Sequence, residues 1–148
     1  MKVKECMCND VCFIKPETNL YEAAQIMSEN HIGCVPVCDN QNNICGVITD
    51  RDILLRCVCC DKDIKNTKAS DIMTCNVCTC KPEDEVKQAE NVMSQNQVRR
   101  LPVCDENNKI VGMLTIGDLA HSVDKIDEQF FCQTIENICC NENAKRNS

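Results

Sequence analysis

Residues 5–55 of the chain recur as residues 71–121. At a constant offset of 66 and with no gap, 19 of 51 positions are identical. Pro16 falls on Pro82, Met27 on Met93, Pro36 on Pro102, Asp39 on Asp105, Gly46 on Gly112, Thr49 on Thr115 and Asp52 on Asp118. A duplication of this length in a chain of 148 residues means two copies of one supersecondary unit, each too small to bury its apolar face well alone.

Both copies read alike. A short apolar run (residues 11–14, then 77–80) is predicted as a strand and enters Lys-Pro-Glu. Apolar residues at helical spacing follow, Leu20, Ala23, Ala24 and Met27 in one copy and Val86, Ala89, Val92 and Met93 in the other. Asn19, three residues before Glu22, has the pattern of a capping box. Two further strands are predicted around the polar turns 39–43 and 105–109, and a second helix begins near Thr49 or Thr115. The order is β-α-β-β-α, twice, an α/β (α+β) fold. The expected divisions are a first repeat over 1–59, a polar linker over 60–69, a second repeat over 70–125, a carboxy-terminal helix over 126–140 and a disordered tail over 141–148.

Composition narrows the possible roles. The net charge of −7 argues against binding the nucleic-acid backbone, which calls for a basic face. No apolar run approaches the ~20 residues of a membrane span, and the first ten residues lack the apolar region of a signal peptide. A soluble, cytoplasmic protein is expected. Aromatics are only 3% of the chain, so aliphatic residues, Met and Cys must fill the core. Many of the 16 cysteines stand where a strand would bury Val or Ile, as in residues 34–38 and 101–104, and are read as reduced thiols packing as small hydrophobes.

A β-α-β-β-α unit whose second strand ends in Pro-Val-x-Asp and whose third ends in Gly-h-h-Thr-x-x-Asp, where h is apolar, resembles the CBS domain. Here the latter motif is Gly46–Asp52 and Gly112–Asp118. Two such units in tandem resemble a Bateman module. The resemblance implies sheet-to-sheet packing with pseudo-two-fold symmetry and two clefts able to take an adenosine-containing ligand. It assigns the motif Asp to ribose hydroxyls and the motif Thr with its neighbours to phosphate, roles suited to a carboxylate and to the N–H groups of a helix start. One cleft would combine Thr49, Arg51 and Asp52 with Val77, Cys78, Pro82, Val98, Arg99 and Arg100. The other would combine Thr115, Gly117 and Asp118 with Val11, Cys12, Pro16, Ile32, Gly33 and Cys34. The arginine pair makes the first cleft basic, since guanidinium forks match phosphate oxygens, and leaves the second neutral. The bland alternatives are helix capping by the Thr and Asp residues and a solvated surface pair for the arginines.

No nucleophile-base-acid set, Walker loop or HExxH motif is present, so an enzyme is not expected. Cys75-x-x-Cys78-x-Cys80 has thiolate spacing but lacks a second well-spaced pair, so no metal site is expected. The resulting expectation is a stand-alone regulatory module sensing an adenine nucleotide (AMP, ADP, ATP or a relative), needing no cofactor and acting on an unknown regulated protein. It would assemble as a homodimer through the helix faces carrying Leu20, Ala23, Met27, Val86, Ala89 and Met93. The alternative is a cysteine-rich metal- or redox-responsive protein on a CBS-like scaffold.

Overall fold

A computed structural model describes residues 1–140; the tail expected to be disordered, 141–148, lies outside the described residues. The helices are α1 (Leu20–Asn30), α2 (Asp50–Ile53), α3 (Ala69–Ile72), α4 (Val86–Asn96), α5 (Ile116–His121) and α6 (Glu128–Cys139). The strands are β1 (Cys34–Cys38), β2 (Ile44–Thr49), β3 (Arg100–Cys104) and β4 (Ile110–Thr115), pairing β1 with β2 and β3 with β4 in two small sheets. Residues 1–11, 78–106 and the described residues from 111 on form one compact unit, unit 1; residues 12–77 and 107–110 form the other, unit 2. Unit 1 therefore takes its amino-terminal segment from the start of the first sequence repeat, and unit 2 takes residues 69–77 from the start of the second.

In unit 2, β1 and β2 are antiparallel, with Cys34 opposite Thr49 and a register shift between Val37 and Cys38. Val35, Val37 and Ile48 are buried with Leu20, Ala23 and Met27 of α1 and with Ile53, Ala69 and Ile72. Asn19 caps α1 by accepting the Glu22 N–H at 2.9 Å. His31 closes α1 in the left-handed region at φ 54°, its N–H turned to the carbonyls of the last turn. Segment 60–69, expected as a polar linker, folds onto this core. The Ile64 and Thr67 carbonyls accept the Tyr21 and Leu20 N–H groups, both at 3.0 Å, so they satisfy donors that the first turn of α1 leaves open.

Unit 1 repeats this plan. Val86, Ala89 and Met93 of α4 pack with Leu101, Val103, Leu114 and Leu119, and Val3 of the amino-terminal segment fills the place that Ala69 takes in unit 2. Unit 1 alone carries α6, whose buried Phe131 and Ile138 join the same cluster.

Two expectations need correction. The strands expected over residues 11–14 and 77–80 shrink to single parallel bridges, Ile14 with Val37 and Cys80 with Val103. Ile14 N–H donates to Pro36 O at 3.0 Å and Ile14 O accepts Cys38 N–H at 2.8 Å; Cys80 does the same with Pro102 and Cys104. Extending either ladder toward Cys12 or Cys78 would need an N–H from Pro36 or Pro102, and proline has none. The six helix residues expected to face a second copy are all buried within their own units, at 6% exposure or less. They are core, because the strands and lead-in segments cover them.

Candidate functional site

In each unit the Gly-h-h-Thr-x-x-Asp motif turns the end of a strand into the start of a helix. In unit 2, Thr49 is the N-cap of α2. Its Oγ1 accepts the Asp52 N–H at 3.0 Å, and Asp52 Oδ2 accepts the Thr49 N–H at 3.0 Å, a reciprocal box. The Asp50 N–H donates to Gly33 O at 3.0 Å, pinning the helix start to the entrance of β1. Gly33, Cys34, Thr49 and Asp52 therefore gather at one end of the unit, Thr49 and Asp52 half-buried. Arg51 is exposed on α2, and Ile32 is exposed just before Gly33. Cys12 and Val77, both half-buried, stand where the chain enters and leaves the unit.

Unit 1 builds the same box more tightly. Asp118 Oδ2 accepts both the Thr115 N–H and the Thr115 Oγ1–H at 2.8 Å, while Thr115 Oγ1 accepts the Asp118 N–H at 3.1 Å. The Ile116 N–H donates to Arg99 O at 3.0 Å, so the arginine pair begins β3 beside the Thr115 helix start of its own unit. Arg99 is exposed, and Arg100 and Val98 are half-buried. Gly117 is exposed, its carbonyl 2.7 Å from His121 Nδ1. Val11 and Cys78, both half-buried, again mark the ends of the unit's segments.

The capping role foreseen for the Thr and Asp residues is thus realised, and it uses only one carboxylate oxygen. The second differs between units. Asp52 Oδ1 lies 3.7 Å from Arg56 Nη2, while Arg56 Nη1 donates to Ile72 O at 2.8 Å and to Thr74 Oγ1 at 3.2 Å. Asp118 Oδ1 has no hydrogen-bond partner among the described residues, and Ser122 stands where Arg56 would fall after the 66-residue shift. Arg56 is a contributor that reasoning from sequence missed; its spacing of four from Asp52 on a helix was the available signal.

The motif glycines serve the same junction. A Cβ on Gly46 would sit 2.6 Å from Met73 Sδ and 3.1 Å from Thr74 O, and one on Gly112 would sit 2.7 Å from Met7 Sδ and 3.0 Å from Cys8 O. Both glycines admit a close backbone, because Thr74 exchanges two 3.0 Å bonds with Val47 and Cys8 exchanges two 2.9 Å bonds with Met113.

Among the cysteines, burial pushes the thiols of Cys80 and Cys104 up to about 12 and about 11, and neighbouring acidic groups add to it. They stay protonated at neutral pH and act as core hydrophobes. Among the described residues, no group of three or more His, Cys, Asp or Glu side chains is arranged to hold a metal ion. None of the helices among them is long and apolar enough to cross a membrane.

A duplicated α/β unit with a Thr–Asp box at each strand-to-helix junction defines a tandem module of the Bateman type. The family model of the CBS domain matches twice, at residues 3–58 and 69–125, and the chain belongs to the CBS-domain family. Its sequence is 36% identical over 118 residues to the CBS domain-containing protein YhcV of Bacillus subtilis, covering 80% of this chain and 82% of that one. Its fold superposes on Hypoxic Response Protein I, solved with two coordinated zinc ions, with a TM-score of 0.76 and 29% identity, covering 82% of this chain and 98% of that one. It also superposes on the CBS domain pair of protein MJ0100, solved in complex with 5′-methylthioadenosine and S-adenosyl-L-methionine. That TM-score is 0.74 at 26% identity, covering 82% of this chain and 98% of that one.

Proposed function

We propose that the chain is a regulatory CBS pair that binds an adenosine-containing ligand and signals its occupancy by a conformational change. The observation carrying this reading is the repeated junction itself. In both units an aspartate is tied to its own helix start through one carboxylate oxygen, and the other is the oxygen assigned to ribose hydroxyls. At Asp118 that second oxygen has no hydrogen-bond partner among the described residues, and at Asp52 it lies 3.7 Å from Arg56 Nη2. The ligand complex of the MJ0100 pair supports the same ligand class. Asp52 and Asp118 are assigned to ribose, Thr49, Thr115 and the adjoining N–H groups to phosphate, and Arg99 and Arg100 to phosphate as bidentate donors. Val11, Cys12, Ile32, Gly33, Cys34, Val77, Cys78 and Val98 are assigned to the base and the remaining phosphates.

Calorimetric titration with AMP, ATP and adenosine tests the assignment. Asp52→Ala should weaken all three, and Arg100→Ala should weaken the nucleotides while leaving adenosine nearly unchanged. Each loss should be about 1.5–3 kcal/mol, roughly ten- to a hundredfold in affinity. Asp118→Ala reports separately on the second motif. Unchanged nucleotide affinity in Asp52→Ala, Arg100→Ala and Asp118→Ala alike would refute the reading.

A homodimer is also proposed, on a different surface from the one the sequence suggested. The turn after α2 is π-helical over Leu54–Val58 and leaves Leu54, Leu55 and Val58 between 43% and 55% exposed, a compact apolar patch. Light scattering should give twice the 16.7 kDa chain mass, and Leu54→Lys with Val58→Lys should return it to that of one chain. A dimer unaffected by both lysines would place the interface elsewhere.

A further inference from the structure

The α4 helix carries a glutamate where its apolar stripe should continue. Glu90 has no exposed surface, and neither of its carboxylate oxygens has a hydrogen-bond partner among the described residues. By the 66-residue shift its counterpart in unit 2 is Ala24, and only unit 1 has a helix corresponding to α6. The α6 helix lies along α4 in parallel. At one end Lys87 Nζ meets Asp127 Oδ2 at 3.1 Å and sits 5.1 Å over the Phe130 ring. At the other, Gln97 Nε2 donates to Cys140 O at 2.7 Å. Those pairings place Glu90 level with the first turns of α6, where Phe131 and Thr134 are buried.

A carboxylate sealed this way without a donor is costly when charged and tolerable when neutral. The charged or titratable groups facing Glu90 do not offset that cost. Lys87, on its own helix, attracts the ionised form but is already paired with Asp127 at the start of α6, which repels it. Cys6, in the amino-terminal segment, is a thiol itself pushed up by burial.

We propose that α6 is a proton-gated cover on unit 1, docked on α4 while Glu90 is protonated and loosened when Glu90 ionises. Burial raises the Glu90 carboxyl from the ordinary 4.5 to about 7, so the gate works near neutral pH. The docked state binds the proton more tightly than the released one. Docking is therefore firmest below the ordinary glutamate value, and it weakens as pH rises toward and past the docked value. Loosening of α6 uncovers the apolar face of α4, where Val86, Ala89 and Met93 are buried.

Hydrogen exchange of the whole chain, corrected for intrinsic rates, tests it. Protection of the α6 amides should fall roughly tenfold between about pH 6 and about pH 8.5, while the β1–β2 amides hold steady. Glu90→Gln, neutral at every pH, should abolish that fall. An equal fall in Glu90→Gln, or none in the wild type, would overturn the proposal. Should Glu90→Gln fail to fold, a carbon-13 titration of the wild-type Glu90 carboxyl decides alone. A midpoint near neutrality supports the gate, and one in the ordinary glutamate range overturns it.

Discussion

Gly46→Val should destabilise unit 2 by about 3 kcal/mol, at the upper end of what overpacking costs. Two obstacles meet the new side chain. The Met73 thioether, 2.6 Å from where the added Cβ would stand, is the end of a flexible side chain and can turn aside. The Thr74 carbonyl at 3.1 Å cannot, because the Thr74 backbone exchanges both of its bonds with Val47. Met73→Ala should therefore rescue part of the loss and leave the rest, and a double-mutant cycle by urea unfolding should give a coupling of about 1 kcal/mol. Full rescue would mean that the methionine alone demands the glycine; no rescue would mean that the backbone does.

The same junction shows what a sequence can and cannot reveal. Gly46 and Gly112, Thr49 and Thr115, Asp52 and Asp118 stand out by repetition, and the capping boxes follow from residue types and a spacing of three. The helices α1 and α4 are legible because their apolar stripes are long and regular. The lead-in strands are not, because the proline that marks the next strand also removes the donor their ladder would need, and that pairing is distant in the sequence. Leu20 and Met93 read as interface residues for a related reason. An apolar stripe shows that a face is covered, but it does not show by what, and part of the cover comes from the opposite repeat. Glu90 offers no clue beyond a charge on an apolar face, which only the seating of α6 turns into a buried group.

The cysteines mark the sharpest limit, since their number alone permits staples, metal ligands or packing. Burial in unit 1 supports packing, and it sets up the second large effect. Leu114 is fully buried in the core of unit 1, so Leu114→Ala should cost about 3–4 kcal/mol, the lost transfer energy together with the cavity it leaves. Cys104, 3% exposed on β3 next to Val103, should behave as a small hydrophobe. Cys104→Val nearly conserves the side chain's shape and should cost less than about 1.5 kcal/mol. Cys104→Ser has almost the same size but brings a hydroxyl into a site that suits a neutral thiol, and it should cost about 1–3 kcal/mol. The order of loss under urea, Leu114→Ala first, Cys104→Ser second and Cys104→Val last, is what a packing role requires. If Cys104→Val cost as much as Leu114→Ala while Cys104→Ser were mild, the thiol would be held by polar contacts, and the reading of Cys104 as a hydrophobe would be lost.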